Sequence, residues 1–314
     1  MTKLRMKPMF LKIIWAIAIL LIASNFSYAQ KLQLPTPDLT NVKYGEHERN
    51  IMDVWFSDKS KTTPLAIFIH GGGFDHGSKE KLNANVLSQL LKAGISVASI
   101  NYRYKSIAPL PAAHHDARQA LQFIRSNAQS WQIDKKKIGV WGSSAGAQIA
   151  MWLAFSDDMA EPESTNPLER ESTRVTCVAA IIGQTTMESD FWLKLLAKYA
   201  PGTEREFKDE QLKIYGVETI EEADEIAKGI SALALISMDD PPIFMQYGMN
   251  PNASAPSKDN PKKFRGWVIH HVDFGIALKE KMNEINVEAH LKYPGAKTQY
   301  GTLVEFLTTK LLEE

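Results

Sequence analysis

This chain predicts an α/β fold: a mainly parallel sheet covered by helices on both faces. Three observations carry that expectation. Short β-branched runs alternate with amphipathic helical stretches along most of the sequence, and such alternation implies parallel strands joined by helical crossovers. The strands are short and apolar throughout, as strands buried on both faces are. Two glycine-rich motifs, His70-Gly71-Gly72-Gly73-Phe74 and Gly142-Ser143-Ser144-Ala145-Gly146, each stand directly after such a strand.

The elements follow in order. Ile51 to Phe56 and Leu65 to Ile69 read as strands, and Lys81 to Lys92 as an amphipathic helix. A strand from Ile95 to Ile100 precedes a helix over Ala113 to Asn127. Lys137 to Trp141 is the strand before the second motif, Ala147 to Phe155 the helix after it, and Thr176 to Ile182 the next strand. The alternation then lapses between Gln184 and Met238. Three short helices are expected there (Phe191 to Tyr199, Glu204 to Tyr215, Thr219 to Ala227), forming a cap inserted before the next-to-last strand. That strand is Pro242 to Gln246. Pro251 to Lys263, rich in Pro, Asn, Ser and Lys, reads as a loop. A helix from Phe274 to Ile285, a strand from Val287 to Tyr293 and a final helix complete the chain.

Residues 1–29 read as an export signal. Lys3, Arg5, Lys7 and Lys12 precede the apolar run Ile13 to Ile22, and Ser27-Tyr28-Ala29 offers small residues at a cleavage site, with a mature start near Gln30. The expected destination is periplasmic or secreted, without stable membrane insertion after cleavage. Residues 30–314 are one domain's worth of chain. Lys plus Arg equals Asp plus Glu at 36 each, which removes the electrostatic case for a nucleic-acid partner. Cys177, the single cysteine, excludes an internal disulfide and reads as a buried strand thiol.

Gly142-Ser143-Ser144-Ala145-Gly146 between a strand and a helix has the pattern of a nucleophile elbow, which lifts the central serine hydroxyl above a sheet. A serine hydroxyl needs a neighbouring base, and the oxyanion formed on attack is stabilised by preorganised amides at about 3 kcal/mol per donor. The amides of Gly72, Gly73 and Ala145 are the candidate donors. Catalytic candidates are therefore Ser144 with an oxyanion hole of Gly72, Gly73 and Ala145, and no cofactor or metal is called for.

These motifs resemble the α/β-hydrolase fold, in the branch with a His-Gly-Gly-Gly oxyanion loop that includes hormone-sensitive-lipase-like carboxylesterases and BD-FAE enzymes. Asn101-Tyr102-Arg103, Pro111 leading to His115-Asp116-Ala117, and Asp240-Pro241-Pro242 also resemble that branch. The resemblance implies a carboxylesterase acting on short acyl or carbohydrate-linked esters, so the expected partner is a small-molecule or polysaccharide ester. The alternative is a catalytically impaired relative that binds a ligand under its cap.

Two family positions are not matched. The turn that carries the triad acid reads Tyr247-Gly248-Met249-Asn250-Pro251-Asn252, and the one that carries the base reads Pro294-Gly295-Ala296-Lys297-Thr298-Gln299-Tyr300. The candidate base comes instead from His270-His271, with His271 favoured over His270. Asp273, Glu188 and Asp190 are the candidate acids, though Asp273 also reads as a helix N-cap. His70 is expected to support the glycine loop, and His114, His115 and His290 to be structural; His76, which follows the glycine loop, is a weaker candidate for touching substrate. Phe191, Trp192 and Tyr199 either line a substrate pocket or pack on the sheet.

Overall fold

The computed structural model describes residues 33–313, and the fold belongs to one compact unit that begins at Thr36. The expected export signal lies outside the described residues. Eight strands form one sheet: β1 (Leu39–Lys43), β2 (Ile51–Trp55), β3 (Thr63–Ile69), β4 (Ser96–Ile100), β5 (Ile133–Ser143), β6 (Cys177–Ile181), β7 (Ile243–Gln246) and β8 (Ala289–Lys292). Their order is β1-β2-β4-β3-β5-β6-β7-β8. Only β2 is reversed, antiparallel to both its neighbours β1 and β4; β3 to β8 are parallel to one another. This is the α/β-hydrolase architecture.

Helices cover both faces. Helices α1 (Ala84–Lys92) and α11 (Leu303–Leu312) pack together, and α11 lies against β3, β5 and β6. On the other side, α2 (Ala112–Ser126) packs on α4 (Ala145–Phe155), which lies against β3, β5 and β6. Every residue of α4 is buried, and all but Gln148 are apolar. The short α3 (Ala128–Trp131) leads into β5. Cys177 is buried in β6, and its burial pushes the thiol pKa up.

Between β6 and β7 lie α5 (Ser189–Tyr199), α6 (Glu204–Tyr215), α7 (Ile220–Gly229) and α8 (Ala232–Leu235). The first three coincide with the helices expected for the cap. Thr219 and Glu222 close a reciprocal capping box at the start of α7, a signature readable in sequence. Beyond β7 come α9 (Pro261–Ile269) and α10 (Asp273–Glu284).

The structure differs from the sequence reading in three places. Strand β1 was not anticipated. It is an edge strand whose residues are half-buried or exposed, so it carries no apolar signature, and Asp53 Oδ1 accepts the Asn41 amide at 2.8 Å to hold it. The helix expected from Lys81 begins at Ala84, because the Asn83 side chain caps the amides of Asn85 and Val86; Lys79–Lys81 form a separate 3₁₀ turn. The third difference is α9, whose first residues fall in the expected loop. Asn260 accepts the Lys263 amide and Pro261 takes the first helical position, a start signal outweighed by the polar composition around it.

Candidate active site

Sheet register brings the two glycine motifs together. β3 and β5 are parallel neighbours, and Ile69 pairs with Gly142, so both chains leave the sheet at the same level and side by side. The turns then interlock. A Cβ on Gly146 would stand 2.1 Å from the carbonyl oxygen of Ile69, and one on Gly71 would stand 2.5 Å from that of Ser143. Glycine is required at both contacts because main chain passes against main chain.

Ser144 occupies the apex with φ 52° and ψ −121°, a strained conformation for a residue with a side chain. Its amide donates to Ile181 O on β6 at 2.9 Å, and its carbonyl accepts the Gln148 amide at 3.0 Å. The strain is thus held by β6 on one side and α4 on the other. Ala145, the first residue of α4, has one of the four amides that a helix leaves without an internal acceptor. Gly72, Gly73, Ser144 and Ala145 all line one cavity of about 680 Å³.

The glycine loop is braced from behind. His70 is buried, stacks on Tyr102 at 4.2 Å and places Nδ1 2.8 Å from Gly71 O, while Nε2 faces the Arg49 guanidinium. Burial lowers its pKa to about 4, so the ring is neutral and donates from Nδ1. The amides of Asp75 and His76 both donate to Gly72 O, closing the loop. His76 lines the cavity. The Arg103 guanidinium pairs with the buried Asp116 carboxylate at 2.7 Å, which ties Asn101-Tyr102-Arg103 to α2.

His270, not His271, meets the serine. His270 Nε2 lies 2.9 Å from Ser144 Oγ, so the choice of His271 as base is corrected. His271 points into the cap junction. Its ring packs between Tyr199 and Trp267, each at 4.6 Å, and its Nδ1 lies 3.2 Å from Asp273 Oδ1. The reason is local: α9 ends at Ile269, His270 is its non-helical cap with φ −116° and ψ 24°, and His271 lies in the turn beyond, so the two rings leave the chain in different directions. With Val268 buried, α9 turns one imidazole to the elbow and the other to the cap.

No carboxylate pairs with the His270 ring among the described residues. Asp273 is engaged by His271, Tyr199 and Lys198. Glu188 accepts from Thr186 at the start of α5, and Asp190 is exposed in the first turn of that helix. Burial lowers the His270 pKa, and the backbone of Gly266, one turn earlier in α9, opposes that shift. Tyr247, at the family's acid turn, is buried with its hydroxyl donating to Gly183 O at 2.6 Å.

The turn between α9 and α10 is clamped by residues that follow β6. Gln184 Nε2 donates to Ile269 O at 2.6 Å, and Thr185 Oγ1 donates to Phe274 O at 2.7 Å. Sequence reasoning missed Gln184 and Gly266, because neither carries a signal of its own. The other histidines are accounted for locally. His114 is buried with Nε2 2.5 Å from Gln148 Oε1 and a pKa lowered to about 3 by burial; the His115 ring lies 6.1 Å from that of Trp152; His290 Nε2 lies 2.7 Å from Glu288. Of the cap aromatics, Trp192 lines the cavity, Phe191 packs on Phe274, and Tyr199 packs on Trp267.

Comparison with known proteins agrees with this fold. The BD-FAE family model matches residues 52–258. Esterase LipC of Mycobacterium tuberculosis is 26% identical over 209 residues, covering 66% of this chain and 49% of that protein. Tuliposide A-converting enzyme 2 of Tulipa gesneriana is 30% identical over 119 residues, covering 35% of this chain and 30% of that protein. The chain thus spans about half or less of the length of these curated relatives. Among solved structures, a truncated carbohydrate esterase from gut microbiota superposes with a TM-score of 0.64 at 22% identity, over 88% of this chain and 96% of that one. Esterase B of Lactobacillus rhamnosis superposes at 0.60 with 18% identity, over 91% of this chain and 83% of that one. At these identities the superpositions establish the shared fold.

Proposed function

The chain belongs to the BD-FAE family, and on that premise we propose that it is a serine carboxylesterase working through a Ser144–His270 dyad. The observation that carries this is the 2.9 Å contact between Ser144 Oγ and His270 Nε2. His270 takes the hydroxyl proton on Nε2 as Ser144 attacks the ester carbonyl. The amides of Gly72, Gly73 and Ala145 hold the oxyanion. The main chain of Gly266 is the group that favours the imidazolium, in the role that a carboxylate fills in a triad. As the acyl-enzyme forms, Nε2 returns its proton to the departing alkoxide. Water then attacks the acyl group with His270 again as base, and Ser144 is regenerated.

A dipole at Gly266 stabilises imidazolium less than a full carboxylate charge does, so the dyad suits esters better than amides, whose leaving groups demand more of the acid. The esterase names of the relatives and the carbohydrate esterase among the structural neighbours support an ester on a small molecule or a carbohydrate as substrate. The Ser144–His270 contact favours turnover over the alternative of ligand binding alone.

Labelling with a fluorophosphonate, mapped by mass spectrometry, tests the dyad. Stoichiometric modification of Ser144, absent in Ser144→Ala and lost in His270→Ala, is expected. A folded protein that stays unlabelled for hours sinks the reading.

We also infer export, on the composition of residues 1–29. Among the described residues no helix is long and apolar enough to cross a membrane. Expression with fractionation and amino-terminal sequencing should find a chain beginning near Gln30 outside the cytoplasm. An intact Met1 in the cytoplasmic fraction would overturn it.

A further inference from the structure

The cavity beside Ser144 is graded. Its deep wall is apolar and buried: Met187, Trp192 and Leu196 from the start of the cap, Ile214 from α6, and Val268 from α9. Its charged residues, among them Asp75, Glu206, Lys258 and Arg265, are exposed around the opening. Arg265 donates to both carboxylate oxygens of Glu210 at 2.6 Å, tying α6 to α9 at that rim. At about 680 Å³ the space is far larger than an acetyl group and falls in the range of sites that enclose a whole small ligand.

An unpartnered polar group interrupts the apolar wall. Glu206, Phe207, Glu210, Gln211 and Ile214 of α6 all line the cavity, a spacing that turns one helical face inward. Glu206 and Glu210 reach toward the opening, whereas Gln211 is 6% exposed, between Phe207 and Ile214 on the same face. Its Oε1 is buried and has no hydrogen-bond partner among the described residues. A buried amide oxygen left unpaired is costly, and a half-turn of the terminal amide exchanges the positions of its oxygen and nitrogen. A glutamine that served only packing would be replaced without loss by an apolar residue of its size.

We propose that Gln211 is a specificity-determining residue, accepting a hydrogen bond from a hydroxyl at the far end of an apolar substrate limb lodged under the cap. The substrate class is then an ester whose one limb is apolar for several carbons and ends in a hydroxyl, with the ester carbonyl at Ser144. This rests on the reading of Ser144 as the nucleophile. A site built around such an acceptor discriminates against the analogue that lacks the hydroxyl, because the acceptor is left buried and unpaired.

The test uses paired esters. In one series, 4-nitrophenyl esters of straight-chain acids of four to eight carbons are compared with their ω-hydroxy counterparts. In the other, acetates of straight-chain alcohols are compared with monoacetates of the matching diols. The wild-type kcat/KM should favour the hydroxylated member by roughly tenfold at one length in one series, and Gln211→Met should bring that ratio to about one. In Ser144→Ala, which does not turn the esters over, dissociation constants for the same pairs should show the same preference. A ratio near one at every length in both series and in binding, or a preference unchanged in Gln211→Met, overturns the role of Gln211. If Ser144 neither turns over ester nor takes the phosphonate while the binding preference persists, the esterase reading fails and the role of Gln211 stands.

Discussion

His270 and Ser144 are 126 residues apart in sequence and meet at 2.9 Å, the imidazole coming from the end of a helix that precedes the next-to-last helix of the chain. Neither the turn after β7 nor the one after β8 supplies the base. The consequence is that the two adjacent histidines separate cleanly in their effects. His270→Ala should lower kcat/KM on the order of 10³-fold, while His271→Ala should lower kcat less than tenfold and act mainly on stability through the Tyr199 and Trp267 packing. Ester hydrolysis measured beside urea denaturation distinguishes them. Equal losses of kcat in two equally folded variants would contradict the assignment.

The base should titrate low. Burial depresses the His270 pKa from its ordinary 6.5, and the Gly266 backbone only partly opposes this. A base works when neutral, so activity is present above its pKa and lost as pH falls through it. The acid limb of kcat/KM is therefore expected below 6.5. A limb above that value would mean a carboxylate stabilises the imidazolium, contrary to the dyad.

Gln184 positions the base through the main chain. Its amide holds Ile269 O at 2.6 Å, one residue before His270. Gln184→Ala should lower kcat about tenfold, as small displacements of a catalytic group do, with the acid limb of the pH profile unmoved. A shifted limb at unchanged kcat would show that Gln184 tunes the ring and does not place it.

Two buried histidines make stability pH-dependent. His70 and His114 have folded pKa values of about 4 and about 3, against 6.5 for the exposed group. Between those values and 6.5 the unfolded chain binds protons that the folded chain refuses. Stability is therefore complete above 6.5 and falls with acidification, by up to about 1.4 kcal/mol per pH unit for each group. The loss levels off below the folded values. Urea midpoints should be level from pH 7.5 to about 6.5 and drop from there to 4.5, and His114→Asn should flatten that slope; an unchanged slope in that variant would exclude His114 as a source.

The elbow leaves no room for a methyl group. A Cβ on Gly146 would overlap Ile69 O at 2.1 Å, so Gly146→Ala should destabilise by roughly 2–3 kcal/mol and displace Ala145 from the oxyanion site. Thermal unfolding together with phosphonate labelling measures both effects. A variant of wild-type stability and labelling rate would show that the two turns part easily.

The sequence alone determined what depends on neighbours in the chain. The strand and helix alternation, the cap helices of residues 184–238, and the elbow with its glycine loop are local patterns, and local backbone geometry enforces them. Ser144 is legible because only a strand, a tight glycine turn and a helix place a serine at positive φ. Even α9 left a local trace in Asn260 and Pro261.

Tertiary structure alone decided which histidine meets Ser144, which main chain lies near its ring and where an unpaired amide oxygen stands in the pocket wall. Which of two adjacent histidines faces the elbow depends on how far α9 is rotated, and that rotation is set by the burial of Val268 and the clamp from Gln184. Gly266 contributes only main chain, so no side chain announces it. Gln211 looks like any helical surface glutamine until α6 folds over the cavity and removes its oxygen from water. Each of these roles is a distance between segments remote in sequence, fixed by packing and not by the residue's own chemistry.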